Sequence, residues 1–221
     1  MKCNKEQSNY LKLVAILAML ADHIGVILFP QYKIFRIIGR VAFPLFAYQI
    51  GIAYNHTNSV KRYFSRLLSY GAAIQAVYIV AVFLFKADLN PFYLNVFFAL
   101  ALGLAAIYFY DKKLYIPLAA ALTLPFFTES VGVKFDYGMY GVALIAVMYA
   151  ANKDFLTLFA ATAALTITHC LFAGWKLQLY SLAAPLFLIK PYKLKFKIPN
   201  KFFYIFYPLH LAVLYAISMF M

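Results

Sequence analysis

The sequence predicts an all-α, polytopic membrane bundle of about nine transmembrane helices, with the N-terminus cytoplasmic and the C-terminus outside. Three observations carry that expectation. The 221 residues are 66% hydrophobic and only 12% charged, whereas soluble domains run near half apolar and a quarter charged. Apolar runs separated by polar breaks recur near 10–29, 34–54, 64–85, 92–110, 114–128, 137–151, 155–172, 176–189 and 202–220. A spanning helix needs roughly 20 residues at ~1.5 Å each. The fifth, sixth and eighth runs are short, which fits a tilted or re-entrant element. Lastly, an N-terminus placed inside puts fourteen Lys and Arg residues in cytoplasmic segments and five outside, with Arg40 within a span. That is the positive-inside pattern.

The net charge of +13 would suggest nucleic acid in a soluble protein. In this chain the basic residues sit in loops facing anionic membrane lipid, so no nucleic-acid partner is expected. The first apolar run is too long for a cleavable signal peptide, and "MLADH" offers no small residue three before a cut. Cys3 and Cys170 fall at opposite ends of their spans, so no disulfide is expected between them. No repeat or linker is visible, and residues 1–221 are read as one domain.

The chemistry lies in polar residues inside the spans. "LADHIGVILFP" (Leu20–Pro30) places an acid beside a histidine in the first run. An Asp at the centre of a membrane helix costs about 2.5–3.5 kcal/mol on insertion scales, so such residues face the bundle interior and find partners. Asp22 lies about 10 Å below the outer end of the first span, and Arg40 about 9 Å below the outer start of the second. The short hairpin between the spans brings the two to one level. Arg36 lies four residues before Arg40, on the same face and nearer the surface, and Gly39 permits close approach of another backbone. Asp22 and His23 point about 100° apart on a helix, so Asp22 is assigned to Arg40 and not to the His23 ring.

"FFYIFYPLHLAVLY" (Phe202–Tyr215) closes the chain. Pro208 cannot donate to the Tyr204 carbonyl, which predicts a kink or a freed carbonyl there. Tyr207 and His210 lie beside it, and His210 is placed to share a central cavity with His23. Thr162, Thr166 and His169 form a third stripe, read as packing because Thr bonds back to helical carbonyls. Asn95, Asp136 and Tyr137 lie at outer ends, as acceptor-side candidates with Arg36 and Tyr207. No metal site is expected.

"LKLVAILAMLADHIG", "FRIIGRVAFPLFAYQIG", "KRYFSRLL", "LNVFFALALGLAAIYFYDKK", "FDYGMYGVALIAVMY" and "FFYIFYPLHLAVLYAI" follow one another in an order that resembles the TraX family, the membrane family of the F-pilin acetylation protein. The resemblance covers nearly the whole chain. It implies a multi-pass acetyltransferase of the bacterial cytoplasmic (inner) membrane, with acetyl-CoA as donor and a pilin N-terminal amine or an envelope glycan hydroxyl as acceptor. TraX is also distantly similar to larger membrane acyltransferases, which carry a basic residue eleven positions before a first-helix histidine; Lys12 stands eleven before His23. An early cytoplasmic arginine pair in those enzymes resembles Arg62 and Arg66, at a different spacing.

The residues support such chemistry on their own account. Lys61, Arg62 and Arg66 would meet the phosphates of acetyl-CoA at the inner mouth, and the resemblance adds Lys12 to that donor side. His23 would take a proton or carry the acetyl group, with Asp22, Arg40 and His210 as its catalytic companions. Arg40 would stabilise a developing oxyanion. A small transporter or proton-coupled channel would use the same residues, but such proteins commonly show paired repeats. A non-catalytic assembly subunit is the third alternative.

Overall fold

The computed structural model describes residues 5–84, 90–189, 191–194 and 198–221. Of the residues used above, Lys2, Cys3, Lys86, Lys190, Lys195 and Lys197 lie outside them. The described chain is almost entirely helical: α1 (Lys5–Ile27), α2 (Lys33–Gly39), α3 (Ala42–His56), α4 (Val60–Leu84), a two-residue strand β1 (Tyr93–Leu94), α5 (Val96–Asp111), α6 (Tyr115–Glu129), β2 (Lys134–Phe135), α7 (Gly138–Ala150), α8 (Phe155–Ala173), a 3-10 helix (Lys176–Leu188) and α9 (Asn200–Ser218).

This is a membrane protein with several transmembrane helices. Four segments among the described residues are long and apolar enough to cross a bilayer: Glu6–Ile27, Lys33–His56, Val60–Leu84 and Phe155–Ala173. Val96–Asp111, Gly138–Ala150 and Phe202–Ser218 are apolar but shorter than the roughly 20 residues of an upright span. Large apolar side chains such as Leu17, Val77, Phe83, Leu171 and Phe172 stay exposed, as a lipid-facing surface requires.

The helices fall into two compact units, Met1–Gln49 with Ala151–Met221, and Ile50–Ala150. In the first, α1 packs on α2 and α9, and the 3-10 helix packs on α2 and α8. The second predicted span is interrupted at Arg40–Val41, where the chain tightens: Arg40 N–H donates to the Arg36 and Ile37 carbonyls and Val41 N–H to Ile38. Pro44 explains the break. It has no N–H to return to the Arg40 carbonyl, yet it is tolerated in the first turn of α3, where that N–H would be unpaired anyway.

The eighth predicted span is not an α-helix. Thirteen residues, Lys176–Leu188, wind as a 3-10 helix, far longer than the usual three or four. Its buried Gln178, Ser181 and Ala184 recur every three residues, the repeat at which 3-10 side chains eclipse. The ninth continues as helix through Pro208, which has no N–H to give the Tyr204 carbonyl. On α8, Thr162 Oγ1 donates to the Leu158 carbonyl at 2.8 Å, the expected back-bond. Asp154 caps the same helix, accepting from Thr157 N–H and Oγ1–H. Those bonds hold its carboxyl below the usual carboxylate range. Cys170 is a free thiol, donating to the Trp175 carbonyl.

In the second unit α5 packs against α4, α6 and α7, and a Cβ at Gly103 would overlap the Ile145 side chain. The α5 helix begins at Val96, four residues later than predicted, because Asn95 caps it. Residues 93–94 instead pair in parallel with 134–135, Tyr93 opposite Lys134 and Leu94 opposite Phe135.

Candidate active site

The first unit gathers the ionisable residues of α1, α2 and α9. Asp22 accepts from two arginines through its two carboxylate oxygens: Arg40 Nη2 donates to Oδ1 at 2.6 Å, and Arg36 Nη1 to Oδ2 at 2.6 Å. Two cations on one anion leave a net positive charge. The arginines differ in what remains to them. Arg40 is 6% exposed at its side chain and also donates from Nε to the Arg36 carbonyl and from Nη1 to Gln178 Oε1. All three guanidinium nitrogens of Arg40 therefore have partners, at Arg36, Gln178 and Asp22. Arg36 is 32% exposed, and its contact with Asp22 uses only Nη1. Arg36, the more exposed of the two, is nonetheless a direct partner of Asp22.

Gly39 is what lets these groups meet. A Cβ there would fall on Asp22 Oδ1, Cβ and Cγ, so the α1 side chain lies against bare α2 backbone.

His23, whose orienting partner the sequence left open, meets His210 of α9: His23 Nδ1 and His210 Nε2 are 2.8 Å apart. His210 Nδ1 lies 2.7 Å from the Phe206 carbonyl oxygen one turn earlier. The Phe206 and His210 rings stack at 4.8 Å with an interplanar angle of 10°. Tyr207, itself buried, sets its ring edge-on to both histidines, at 6.2 Å from His23 and 5.9 Å from His210. Asp22, His23, Arg36, Arg40, Tyr207 and His210 thus share one unit. Gln178 is the residue that sequence reasoning missed. It is 1% exposed, and its signal was there: an amide among apolar residues must find a hydrogen-bond partner when buried.

The other candidates are placed elsewhere. Lys12 is on α1, while Lys61, Arg62 and Arg66 are exposed on the first two turns of α4 in the second unit. Arg66 lies over the Tyr63 ring, 5.1 Å from its centroid, and Arg62 N–H donates to the Ser59 hydroxyl. Asn95, Asp136 and Tyr137 are also in the second unit. Asn95 accepts from Phe97 N–H and donates to the Gly71 carbonyl and Gln75 Oε1. Asp136 accepts from the Tyr93 hydroxyl, and Tyr137 holds a left-handed turn at φ 60° ahead of α7. Among the described residues no three His, Cys, Asp or Glu side chains gather as metal ligands would.

No solved structure matches this chain. A probable fimbrial assembly protein FimC, serogroup H1, of Dichelobacter nodosus is 28% identical over 96% of this chain and 95% of its own length. An uncharacterised protein of Rickettsia prowazekii (strain Madrid E) is 30% identical over 68% of this chain and 59% of its own. The family described as TraX protein matches residues 7–218. The chain belongs to the TraX family.

Proposed function

We propose that this protein is an acetyl-CoA-dependent acetyltransferase of the bacterial inner membrane, acting on a pilin N-terminal amine or an envelope glycan hydroxyl. The observation that carries the reading is the pair His23–His210, set next to a carboxylate held by two arginines. The name of the fimbrial relative supports a pilus-linked acceptor. Nine crossings, with the N-terminus inside, put the basic residues of α4 on the acetyl-CoA side.

In the transfer, the acceptor nitrogen or oxygen attacks the thioester carbonyl. A C–N or C–O bond forms and the C–S bond breaks. His23 takes the acceptor's proton and returns it to the departing CoA thiolate. Arg36 donates to the carbonyl oxygen as negative charge develops there, since its remaining guanidinium N–H groups are the uncommitted donors of the cluster. Arg40 holds Asp22, and so the geometry, in place.

The test is purified protein in detergent with radiolabelled acetyl-CoA and an acceptor peptide or glycan. Label transfer and CoA release are expected in the wild type and lost in His23→Ala of unchanged melting temperature. Equal release by wild type and variant, or none by either, removes the proposal. Changing Arg62 and Arg66 together to alanine should weaken apparent acetyl-CoA affinity with little loss of kcat. An unchanged KM would take both residues out of the donor site.

A further inference from the structure

We infer that His210 is a positioning residue that locks His23 as its Nδ1–H tautomer, leaving His23 Nε2 as the basic, nucleophilic nitrogen of the site. The inference deepens the acetyl-transfer reading and rests on it for its catalytic meaning, but the tautomer itself follows from hydrogen bonding alone.

The argument starts at a backbone atom. The Phe206 carbonyl oxygen can only accept, so its 2.7 Å contact with His210 Nδ1 requires a hydrogen on that nitrogen. A neutral imidazole carries one N–H, so His210 Nε2 is then a bare lone pair. That lone pair faces His23 Nδ1 at 2.8 Å. Two bare nitrogens at this separation repel, so His23 Nδ1 must bear the hydrogen and donate. The second nitrogen of His23, Nε2, is then the acceptor, and no hydrogen bond from the described residues reaches it. For two neutral rings no other arrangement satisfies both contacts. An extra proton on the pair is the one way out, and it would add a further positive charge next to Arg36 and Arg40, which Asp22 only half neutralises.

The surroundings of His210 keep this arrangement from reversing. Turning its ring over would take Nδ1 off the Phe206 carbonyl, while stacking on Phe206 and the edge of Tyr207 fix the ring plane. The carbonyl has a second lone pair for the ordinary helical bond. His210 therefore reads out a fixed backbone acceptor and passes the choice of proton position to His23. When His23 Nε2 takes a proton during transfer, the same His210 lone pair steadies the imidazolium through Nδ1–H.

The experiment is nitrogen NMR of the detergent-solubilised full chain labelled with 15N on the histidine rings. The His23 signals are assigned by difference from His23→Gln. We expect a pyridine-type shift for His23 Nε2 and a pyrrole-type shift for Nδ1 in the wild type. His210→Gln, whose amide oxygen can accept at the Nε2 position, should preserve that pattern; His210→Ala should pull both His23 signals toward averaged, mixed-tautomer values. A pyridine-type Nδ1 on His23, or two pyrrole-type nitrogens, in the wild-type protein would overturn the inference even if His210→Ala fails to fold. The spectrum needs no acetyl-CoA. The predicted shifts from a protein that releases no CoA would keep the tautomer and remove only the enzymatic reading.

Discussion

Asp22→Asn lowers the melting temperature and folded yield in detergent more than the loss of either arginine. The reason is the count of charges around one carboxylate. Asp22 is the shared partner of Arg36 and Arg40, at 2.6 Å from each. Its neutral amide replacement leaves two guanidinium groups facing one another in a membrane-embedded site. Breaking a buried ion pair from one side costs about 3–5 kcal/mol, chiefly because the surviving charge is stranded. Arg40→Ala is milder, since Asp22 keeps Arg36, although Gln178 loses a donor. Arg36→Ala is milder still for stability, since that side chain is partly exposed, but it should reduce the proposed transfer. Thermal melts of the three variants check the order. A wild-type melt for Asp22→Asn would mean that the carboxylate holds nothing together. Partial recovery in Asp22→Asn combined with Arg40→Gln would confirm direct coupling.

Gly39→Ala also destabilises, against the ordinary trend for helices. Alanine at a helical position is favoured over glycine by about 1 kcal/mol, so a position with free space would gain stability. At Gly39 the added methyl lands on three atoms of Asp22. The clash forces α1 and α2 apart, and overpacking of this kind costs about 1–3 kcal/mol before any loss of the ion pairs. The sign of the change in melting temperature decides the matter. A rise would show that α1 and α2 do not approach as closely as the contact requires. Gly103→Ala, which meets Ile145 in the same way, is the control in the second unit and should destabilise without abolishing the proposed transfer.

Much of the site was legible because helix rise is a ruler. Counting residues from the hairpin put Asp22 and Arg40 at one height, and the structure bonds them. The same ruler put Arg36 on that face and nearer the surface, where it is the more exposed arginine; it did not reveal that the long side chain reaches the same carboxylate. His23 and His210 are 187 residues apart. Composition could say that both need partners; only the packing of α1 on α9 could say that each is the other's. Gln178 escaped for a related reason, since its donor lies 138 residues away and its helix does not follow the α period on which amphipathic patterns are read. The nine apolar runs each contain helix, but the second is divided at Arg40–Val41, where Pro44 withholds a donor. Asn95 caps α5 and Asp136 accepts from the Tyr93 hydroxyl, contacts that an isolated polar residue at a boundary does not reveal.

The extended winding of Lys176–Leu188 has a mechanical consequence. At about 2.0 Å per residue its thirteen residues reach about 26 Å, where an α-helix of the same residues would reach only about 20 Å. A segment too short to bridge the acyl layer in the usual coil comes close to doing so when drawn out. Recoiling it would shorten the segment by about 6 Å and swing its side chains off their shared column. Gln178, which accepts from Arg40, would leave that column with the others.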